Sequence, residues 1–383
     1  MPDERAGPPQ APYRSAQHGG CLISAPAQPA EAGEPAAAIV AALRGALHAA
    51  RLPYADAPLA LLHDKGLAHH HVRVVGSGLV TRLPKHSQMG LSAAANLAYE
   101  AACFERAAAS GHVPRLAGLL TPGSSLPRGG LLVQDIVGPA ARLPQDLPAI
   151  AQALAAIHAL ALPGAASRPP LLDAADPLLA LHHEIEAQAA YLDAAAVEPA
   201  ARTLIDRARA DLARRCAGSA RPQRRLIAFD AHPGNFLIEA SGRAVLVDLE
   251  KARYSHPPLD LAHATLYTST TWDLDSRAEL TPAQVIEAYA AWQRQWPAGA
   301  ALRPWFVPLR AAMWLWSVTW CAKWRVLSPR DAKPGADGED WSQQHSSRAL
   351  TDHVRDRVDC YLARPAVERV LHELAVLGLA FDA

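Results

Sequence analysis

The chain reads LIAFDAHPGNFLIEASGRAVLVDLEKARYSHPPLDLA over residues 226–262. Two short apolar runs, residues 236–238 and 244–247, lie on either side of a turn at Ser241 and Gly242. Short apolar runs around a glycine-containing turn are typical of two antiparallel strands joined as a hairpin. We therefore predict a β-hairpin. In it, the start of the first strand and the end of the second strand lie side by side.

Polar residues lie at the open end of this predicted hairpin. Asp230 and Asn235 are on the loop before the first strand, and Asp248 follows the second strand. Carboxylate and amide oxygens are ligands that Mg²⁺ prefers, usually together with substrate phosphates. A further carboxylate can accept a proton from an attacking hydroxyl. Kinase-type phosphoryl transfer uses this arrangement. Because Asp and Asn are common loop residues, the interpretation depends on the whole ordered set, including Asp260 further along.

The same stretch resembles the catalytic core of the aminoglycoside phosphotransferase / choline kinase-like family, which is structurally related to protein kinases. The family pattern is His-Gly-Asp-Leu-His-Pro-Gly-Asn, then an apolar residue with Asp-Phe-Glu, then Asp-Leu-Ala. The matching positions here are residues 228–235, 247–250 and 260–262. The resemblance implies an α+β, protein-kinase-like two-lobed fold, with a small β-rich N-lobe and a larger, mainly helical C-lobe.

The resemblance also implies roles for individual residues. Asp230 would be the catalytic base, Asn235 and Asp248 would be the metal ligands, and Asp260 would brace the catalytic loop from behind. One position departs from the family pattern, because Ala228 stands where the family usually has His. That His belongs to the scaffold of the loop and does not touch phosphate. Because this His is absent, a second function remains an alternative, namely that of a nucleotide-binding regulator without catalytic activity.

A second hairpin is predicted nearer the N-terminus, where two β-type runs flank Gly76-Ser77-Gly78. In the family, a glycine-containing loop before such strands covers the nucleotide phosphates. The corresponding segment here is Lys65 to His69, so Gly66 and His69 are candidate nucleotide-binding residues. The run His69-His70-His71 does not predict a metal site, because successive strand residues point to opposite faces.

Further nucleotide contacts follow from the resemblance. Arg82 lies near the end of a predicted strand, where kinases carry a Lys that contacts the α- and β-phosphates, and Lys85 is the alternative. Glu100, on a predicted helix over residues 92–110, would form the ion pair with Arg82, and Glu105 is its competitor.

The resemblance also implies a hinge near residues 134–137, where the predicted strand that begins at Gly130 leads into the second lobe. Backbone groups near Gln134 and Ile136 would bind the adenine there. We thus expect a disordered tail over residues 1–34, a nucleotide-binding lobe over residues 35–138, and a catalytic and substrate-binding lobe over residues 139–383.

Composition excludes several classes of protein. The 383 residues carry 37 basic and 37 acidic side chains, so charge gives no support for a nucleic-acid binder. The five Cys show no CxxC spacing, which argues against a disulfide framework or a zinc site. No run of 18 apolar residues predicts a membrane span. We expect a cytoplasmic protein that uses ATP and Mg²⁺, with its oligomeric state open.

The acceptor would be a small molecule with a hydroxyl group. All nine Trp lie in residues 272–341, and Trp316, Trp320 and Trp324 share a helix face. The stripe could belong to the core or could line a pocket for a flat or cationic substrate. The balanced charge of the C-terminal region does not favour a polycationic antibiotic. Phosphorylation of protein hydroxyls is the least favoured alternative, because residues 249–259 leave little room for a peptide-docking loop.

Overall fold

The computed structural model describes residues 34–62, 68–273, 276–328 and 348–382. Nearly all of the predicted tail, residue Gly66 and most of the polar stretch 328–347 therefore lie outside the described residues. Within the described ranges the fold is mixed α+β, with a β-sheet lobe followed by a mainly helical lobe, as predicted.

The N-lobe contains an antiparallel five-stranded sheet in the order β1-β2-β3-β5-β4. The strands are β1 (Leu59–Leu61), β2 (His69–Val74), β3 (Leu79–Pro84), β4 (Leu116–Leu120) and β5 (Gly130–Gln134). The predicted hairpin is confirmed as β2 and β3, and its register places His71 opposite Arg82. Gly76 and Gly78 adopt positive φ angles of 80° and 71° in its turn, a conformation that glycine adopts without steric cost.

Two helices pack on this sheet. Helix α1 (Glu34–Ala49) buries Leu43 and Leu47 in a cluster with residues of β2. Helix α2 (Ala93–Ala107) continues as a short 3₁₀ turn to Ser110, which agrees with the predicted helix over residues 92–110. Its N-terminus is capped by Ser92, whose hydroxyl accepts the backbone N–H of Ala95. Helix α2 thereby carries Glu100 into the interior.

The C-lobe is built from helices around α9. The helices are α3 (Leu147–His158), α4 (Pro177–Ala189), α5 (Pro199–Ala217), α6 (Pro258–Thr265), α7 (Tyr267–Thr270), α8 (Pro282–Gln295), α9 (Phe306–Leu327), α10 (Arg348–Leu362) and α11 (Arg364–Asp382). Helix α9 packs against α4, α6 and α10. Its residues Leu309, Met313, Trp314 and Val318 are fully buried, so most of this helix forms the lobe's core.

Four short strands hold the segment 226–262. Strand β6 (Arg225–Ile227) pairs with β9 (Arg253–Ser255). Strands β7 (Phe236–Ile238) and β8 (Ala244–Leu246) form the hairpin predicted for residues 236–247. Residues 226–262 therefore fold as their local sequence pattern indicates.

The segment between the two lobes runs beside the β7–β8 hairpin. The N–H of Ile238 donates to the carbonyl of Pro139 over 2.9 Å, and the N–H of Ala141 donates to that of Phe236 over 3.0 Å. A Cβ atom at Gly138 would overlap the carbonyl oxygen of Ile238. Because only glycine fits this close approach, the backbone of residues 138–141 is fixed against the β7–β8 hairpin.

Candidate active site

A cavity of about 470 Å³ opens between the sheet and the C-lobe. The predicted site residues on its walls are His69, Arg82, Gln134, Ile136, Asp230, Asn235 and Asp248. Residues far apart in sequence thus meet in one space. Glu100 is buried behind this wall, in contact with His69.

The loop that carries Asp230 is held from behind by Asp260, at the start of α6. The Asp260 carboxylate accepts the backbone N–H groups of Ala228 and Phe229, each over 2.8 Å. Phe229 has a φ angle of 63°, which is a strained conformation for a residue with a bulky side chain. The two hydrogen bonds fix this strained turn and so set the direction of the residue that follows it.

A buried network supports Asp260 in turn. The indole N–H of Trp292 donates to Nδ1 of His158 over 3.0 Å. Because an indole can only donate, Nδ1 of His158 accepts and its Nε2 carries a proton. That Nε2 lies 3.0 Å from Oδ2 of Asp260. His158 therefore supports the loop indirectly, through Asp260.

Asp230 is paired with Lys251, a residue that the sequence analysis did not single out. The Nζ atom of Lys251 donates to Oδ2 of Asp230 over 2.7 Å, and Nδ1 of His263 lies 3.6 Å from Oδ1. Burial would raise the pKa of Asp230, but Lys251, His263 and His232 outweigh it and hold that pKa well below its usual range. Asp230 is thus a carboxylate at neutral pH.

Asn235 lies beside Asp230 at the end of a 3₁₀ turn, Pro233–Asn235. Its side-chain N–H₂ donates to the backbone carbonyl of Asp230 over 2.8 Å. The backbone carbonyl of Asn235 accepts the backbone N–H of Val247 over 2.9 Å. The side-chain amide nitrogen is occupied by the loop, and Asn235 lines the cavity with its amide oxygen as the remaining ligand group.

Asp248 and Arg82 form an ion pair across the cavity wall. The Nη2 atom of Arg82 lies 2.6 Å from Oδ1 of Asp248, and its Nη1 donates to the carbonyl of Val247 over 3.0 Å. Burial would raise the pKa of Asp248, but Arg82 and His69 outweigh it and lower that pKa. Nε of Arg82 is buried without a hydrogen-bond partner among the described residues.

The expected ion pair between Arg82 and Glu100 is not formed. Instead, Glu100 contacts Nε2 of His69 over 2.9 Å and accepts the side-chain N–H₂ of Asn96 over 2.6 Å. The physical reason is that His69, the first residue of β2, lies between α2 and β3. Burial opposes a charge on His69, but Glu100 outweighs it and raises the pKa of that imidazole. Glu100 therefore forms no direct ion pair with Arg82, although its charge still raises the pKa of that guanidinium.

Glu250 lies in the same buried cluster as His69 and Asp248. Its pKa is raised to about 7, first by burial and then by the neighbouring charge of Asp248. His69, Asp248 and Glu250 offer three ligand atoms within 4.8 Å of one another. Arg82 already places a cation among them, because its Nη2 lies 2.6 Å from Asp248 and 3.4 Å from Nδ1 of His69. A metal ion bound by these three residues would have to displace the guanidinium.

Of the predicted hinge residues, Gln134 is the last residue of β5 and Ile136 lies just after the strand. The N–H of Gln134 donates to the carbonyl of Arg115, and that of Asp135 donates to the carbonyl of Gly78. Ile136 is buried on the cavity wall. No hydrogen bond among the described residues engages either backbone group of Ile136. Its N–H and C=O are therefore available to a ligand.

Several site residues were missed by sequence reasoning. Lys251 and His263 could have been suspected only from their closeness to Asp248 and Asp260 in sequence. Thr268 and Ser269, on the short helix α7, carry no sequence signal, yet both line the cavity. Their contribution depends on α6 and α7 folding back over the loop.

The fold and the site together define a kinase-like phosphotransferase. A family model described as the phosphotransferase enzyme family matches residues 62–305, and the chain belongs to that family. No curated protein sequence matches the chain. No helix among the described residues has the length and apolarity needed to span a membrane.

Solved structures share the fold. A choline/ethanolamine kinase family protein from Mesorhizobium loti is 19% identical, with a TM-score of 0.52, and the match covers 88% of this chain and 99% of that one. The ADP-bound aminoglycoside phosphotransferase APH(2'')-Ib is 12% identical, with a TM-score of 0.50, and the match covers 86% and 97% of the two chains. At these identities the likeness establishes the fold and leaves the substrate open.

Proposed function

We propose that this protein transfers the γ-phosphoryl group of ATP to a hydroxyl of a small molecule, with Mg²⁺ required. The observation that supports this most strongly is one shared cavity. It contains a carboxylate kept ionised by Lys251, and oxygen ligands from Asn235 and Asp248 lie on the same wall. A loop base facing two oxygen-ligand residues is the arrangement used by kinases.

The side chains suit a hard divalent cation. Asp248 supplies a carboxylate, and Asn235 supplies an amide oxygen whose partner nitrogen is already bonded. When bound, Mg²⁺ would neutralise the negative charge that develops on the phosphates during transfer. Asn235 and Asp248 are the residues that we assign to hold it.

The nucleotide has a matching place on the other side of the cavity. Ile136 offers a backbone donor and a backbone acceptor at the hinge, which suits the edge of an adenine, and Gln134 precedes it on the same wall. Arg82 is the cation nearest Asp248, and we assign it to the phosphates. Glu100 and His69 hold that guanidinium in place from behind. Gly66 is assigned to the phosphate-covering loop from sequence alone.

Asp230 is assigned as the base. Its carboxylate would accept the proton of the acceptor hydroxyl as oxygen attacks phosphorus, which gives a phosphate ester and ADP. Ala228 does not undo this assignment, since its backbone N–H still donates to Asp260 and the loop keeps its brace. A protein that only binds nucleotide has no use for an ionised base at this position.

The test is acceptor-dependent release of ADP by purified protein and by an Asp230→Ala variant. We expect the variant to lose turnover by at least a thousandfold while keeping the affinity for ATP with Mg²⁺. Glu239→Gln, on the outer turn of the hairpin, is the control and should retain activity. Equal turnover by Asp230→Ala and wild type would remove the assignment of the base.

A further inference from the structure

The cavity continues beyond Asp230 into a space walled by α7, α9 and α10. Aromatic side chains dominate this part of the wall, namely Trp272, Trp316, Trp320, Tyr361 and His353. The rings of Trp272 and Trp320 meet edge to face with centroids 5.8 Å apart, and Tyr361 lies 6.3 Å from Trp272. We call this space the aromatic chamber.

The tryptophan stripe of α9 is divided between core and cavity. Trp324 is 1% exposed and belongs to the core, whereas Trp316 and Trp320 are half-buried and line the chamber. The stripe is therefore divided between the core and the cavity wall. The two chamber residues lie on the side of α9 that faces the catalytic loop, and Trp316 contacts Phe229 with centroids 5.2 Å apart.

Two buried hydroxyl groups on the chamber wall have no partner. Thr268 is 5% exposed and Ser269 is 3% exposed, and neither side-chain oxygen has a hydrogen bond among the described residues. Thr271 on the next turn is different, because its hydroxyl bonds the carbonyl of Tyr267 and the hydroxyl of Tyr361. A buried hydroxyl without a hydrogen-bond partner is unfavourable, because it loses its bonds to water and gains none in return. Thr268 and Ser269 are therefore placed to bond a polar group of a ligand.

Positive and negative side chains both border the chamber. Asp230 is neutralised by Lys251, whose Nζ also lies 5.8 Å from the ring centroid of Trp316. Asp273 accepts the N–H and hydroxyl of Ser276. Moving an ammonium group from water into such a site costs free energy unless a carboxylate compensates it. Asp230 is already paired, and Lys251 places a positive charge beside Trp316 that repels a second cation, so the chamber favours an uncharged ligand.

We propose that the aromatic chamber binds the acceptor, and that the acceptor is an uncharged alcohol with a flat, apolar body and a second polar substituent. This inference rests on the phosphotransfer function proposed above. The flat body stacks against Trp272 and Trp320, the second substituent bonds Thr268 and Ser269, and the reacting hydroxyl lies at Asp230. Polycations and quaternary amines are poor acceptors.

The test compares three probes, coniferyl alcohol, choline and kanamycin, by calorimetric binding and by ADP release with ATP and Mg²⁺. Coniferyl alcohol stands for the uncharged aryl alcohols. The test variant is Thr268→Val with Ser269→Ala, which removes both chamber hydroxyls. The matched control is Thr270→Val, because Thr270 is also buried without a partner and lies on the same helix but does not line the cavity.

We expect coniferyl alcohol to bind more tightly than choline or kanamycin. Its affinity should fall about tenfold in the double variant and stay unchanged in Thr270→Val, since each lost hydrogen bond contributes about 0.5–1.5 kcal/mol. The affinity for ATP should stay the same in both. Tighter binding of choline or kanamycin, no binding of coniferyl alcohol, or an equal loss in the control would overturn the proposal. If ATP with Mg²⁺ also fails to bind wild type, the proposed phosphotransfer function is wrong. If ATP binds and coniferyl alcohol does not, only the proposal on the acceptor is wrong.

Discussion

The ammonium group of Lys251 lies 2.7 Å from the carboxylate of Asp230, inside the cavity that also holds Asn235 and Asp248. The two residues belong to different turns, one before β7 and one after β8. The hairpin between them brings the pair together. An ion pair with both members largely buried needs its partner, because removing one member leaves the other charge uncompensated.

Lys251→Met should therefore change the pH dependence of catalysis. Without the ammonium, the strongest influence that lowers the pKa of Asp230 is lost, and that pKa rises from its wild-type value because burial is then opposed by His263 and His232 without Lys251. A base must be ionised to act, so the acidic limb of kcat/KM should move to higher pH, and activity at pH 6 should fall by more than at pH 8. Steady-state rates across this range measure the effect.

Lys251→Arg is the matched control, because it keeps the positive charge beside Asp230. Its acidic limb should stay close to that of wild type. An unchanged acidic limb in Lys251→Met would show that Lys251 does not set the protonation of the base.

Asp260→Ala should destabilise the fold as well as the site. The change leaves the N–H groups of Ala228 and Phe229 without acceptors, removes the partner of His158, and releases the strained turn at Phe229. Breaking a buried charged network of this kind costs about 3–5 kcal/mol. Chemical denaturation followed by tryptophan fluorescence measures the loss.

Asp260→Asn keeps one acceptor oxygen and should lose roughly half as much stability. If Asp260→Ala unfolds at the same denaturant concentration as wild type, the brace has no energetic importance.

Gly138→Ala should disturb the hinge. The added Cβ would overlap the carbonyl of Ile238, so either the linker or the catalytic hairpin must move. Overpacking of this kind costs about 1–3 kcal/mol. We expect a Tm lowered by several degrees and a raised KM for ATP, because Ile136 lies two residues before Gly138.

Gly164→Ala provides the control. A Cβ there meets nothing within 4 Å, and the φ of −55° suits alanine. Its Tm and KM should match those of wild type or rise slightly. Equal behaviour of the two variants would mean that the linker adapts without cost.

The sequence predicted those parts of the site that local patterns determine. The β7–β8 hairpin, the β2–β3 hairpin and the position of Asp230 all depend on turn chemistry and short apolar runs. The expected pairing of Glu100 with Arg82 was wrong, because no local pattern shows that His69 would lie between them. Lys251, for the same reason, was not anticipated as the partner of Asp230.

The tryptophan stripe shows another limit of sequence patterns. Residues four apart on an α-helix are rotated by about 40°, so Trp324 lies about 80° around α9 from Trp316. One end of the stripe therefore faces the cavity while the other faces the core. Periodicity predicted a shared face, and tertiary packing decided where that face divides.

The most direct test of the central claim is calorimetric titration of ATP into wild type and Asp248→Asn, each with and without Mg²⁺. The account predicts that wild type binds ATP more tightly with Mg²⁺ than without it. It also predicts that Asp248→Asn loses most of this Mg²⁺ dependence, with an affinity at least tenfold lower in the presence of the metal. Absence of ATP binding by wild type, or an undiminished Mg²⁺ effect in Asp248→Asn, would contradict the assignment of this cavity as a phosphotransfer site.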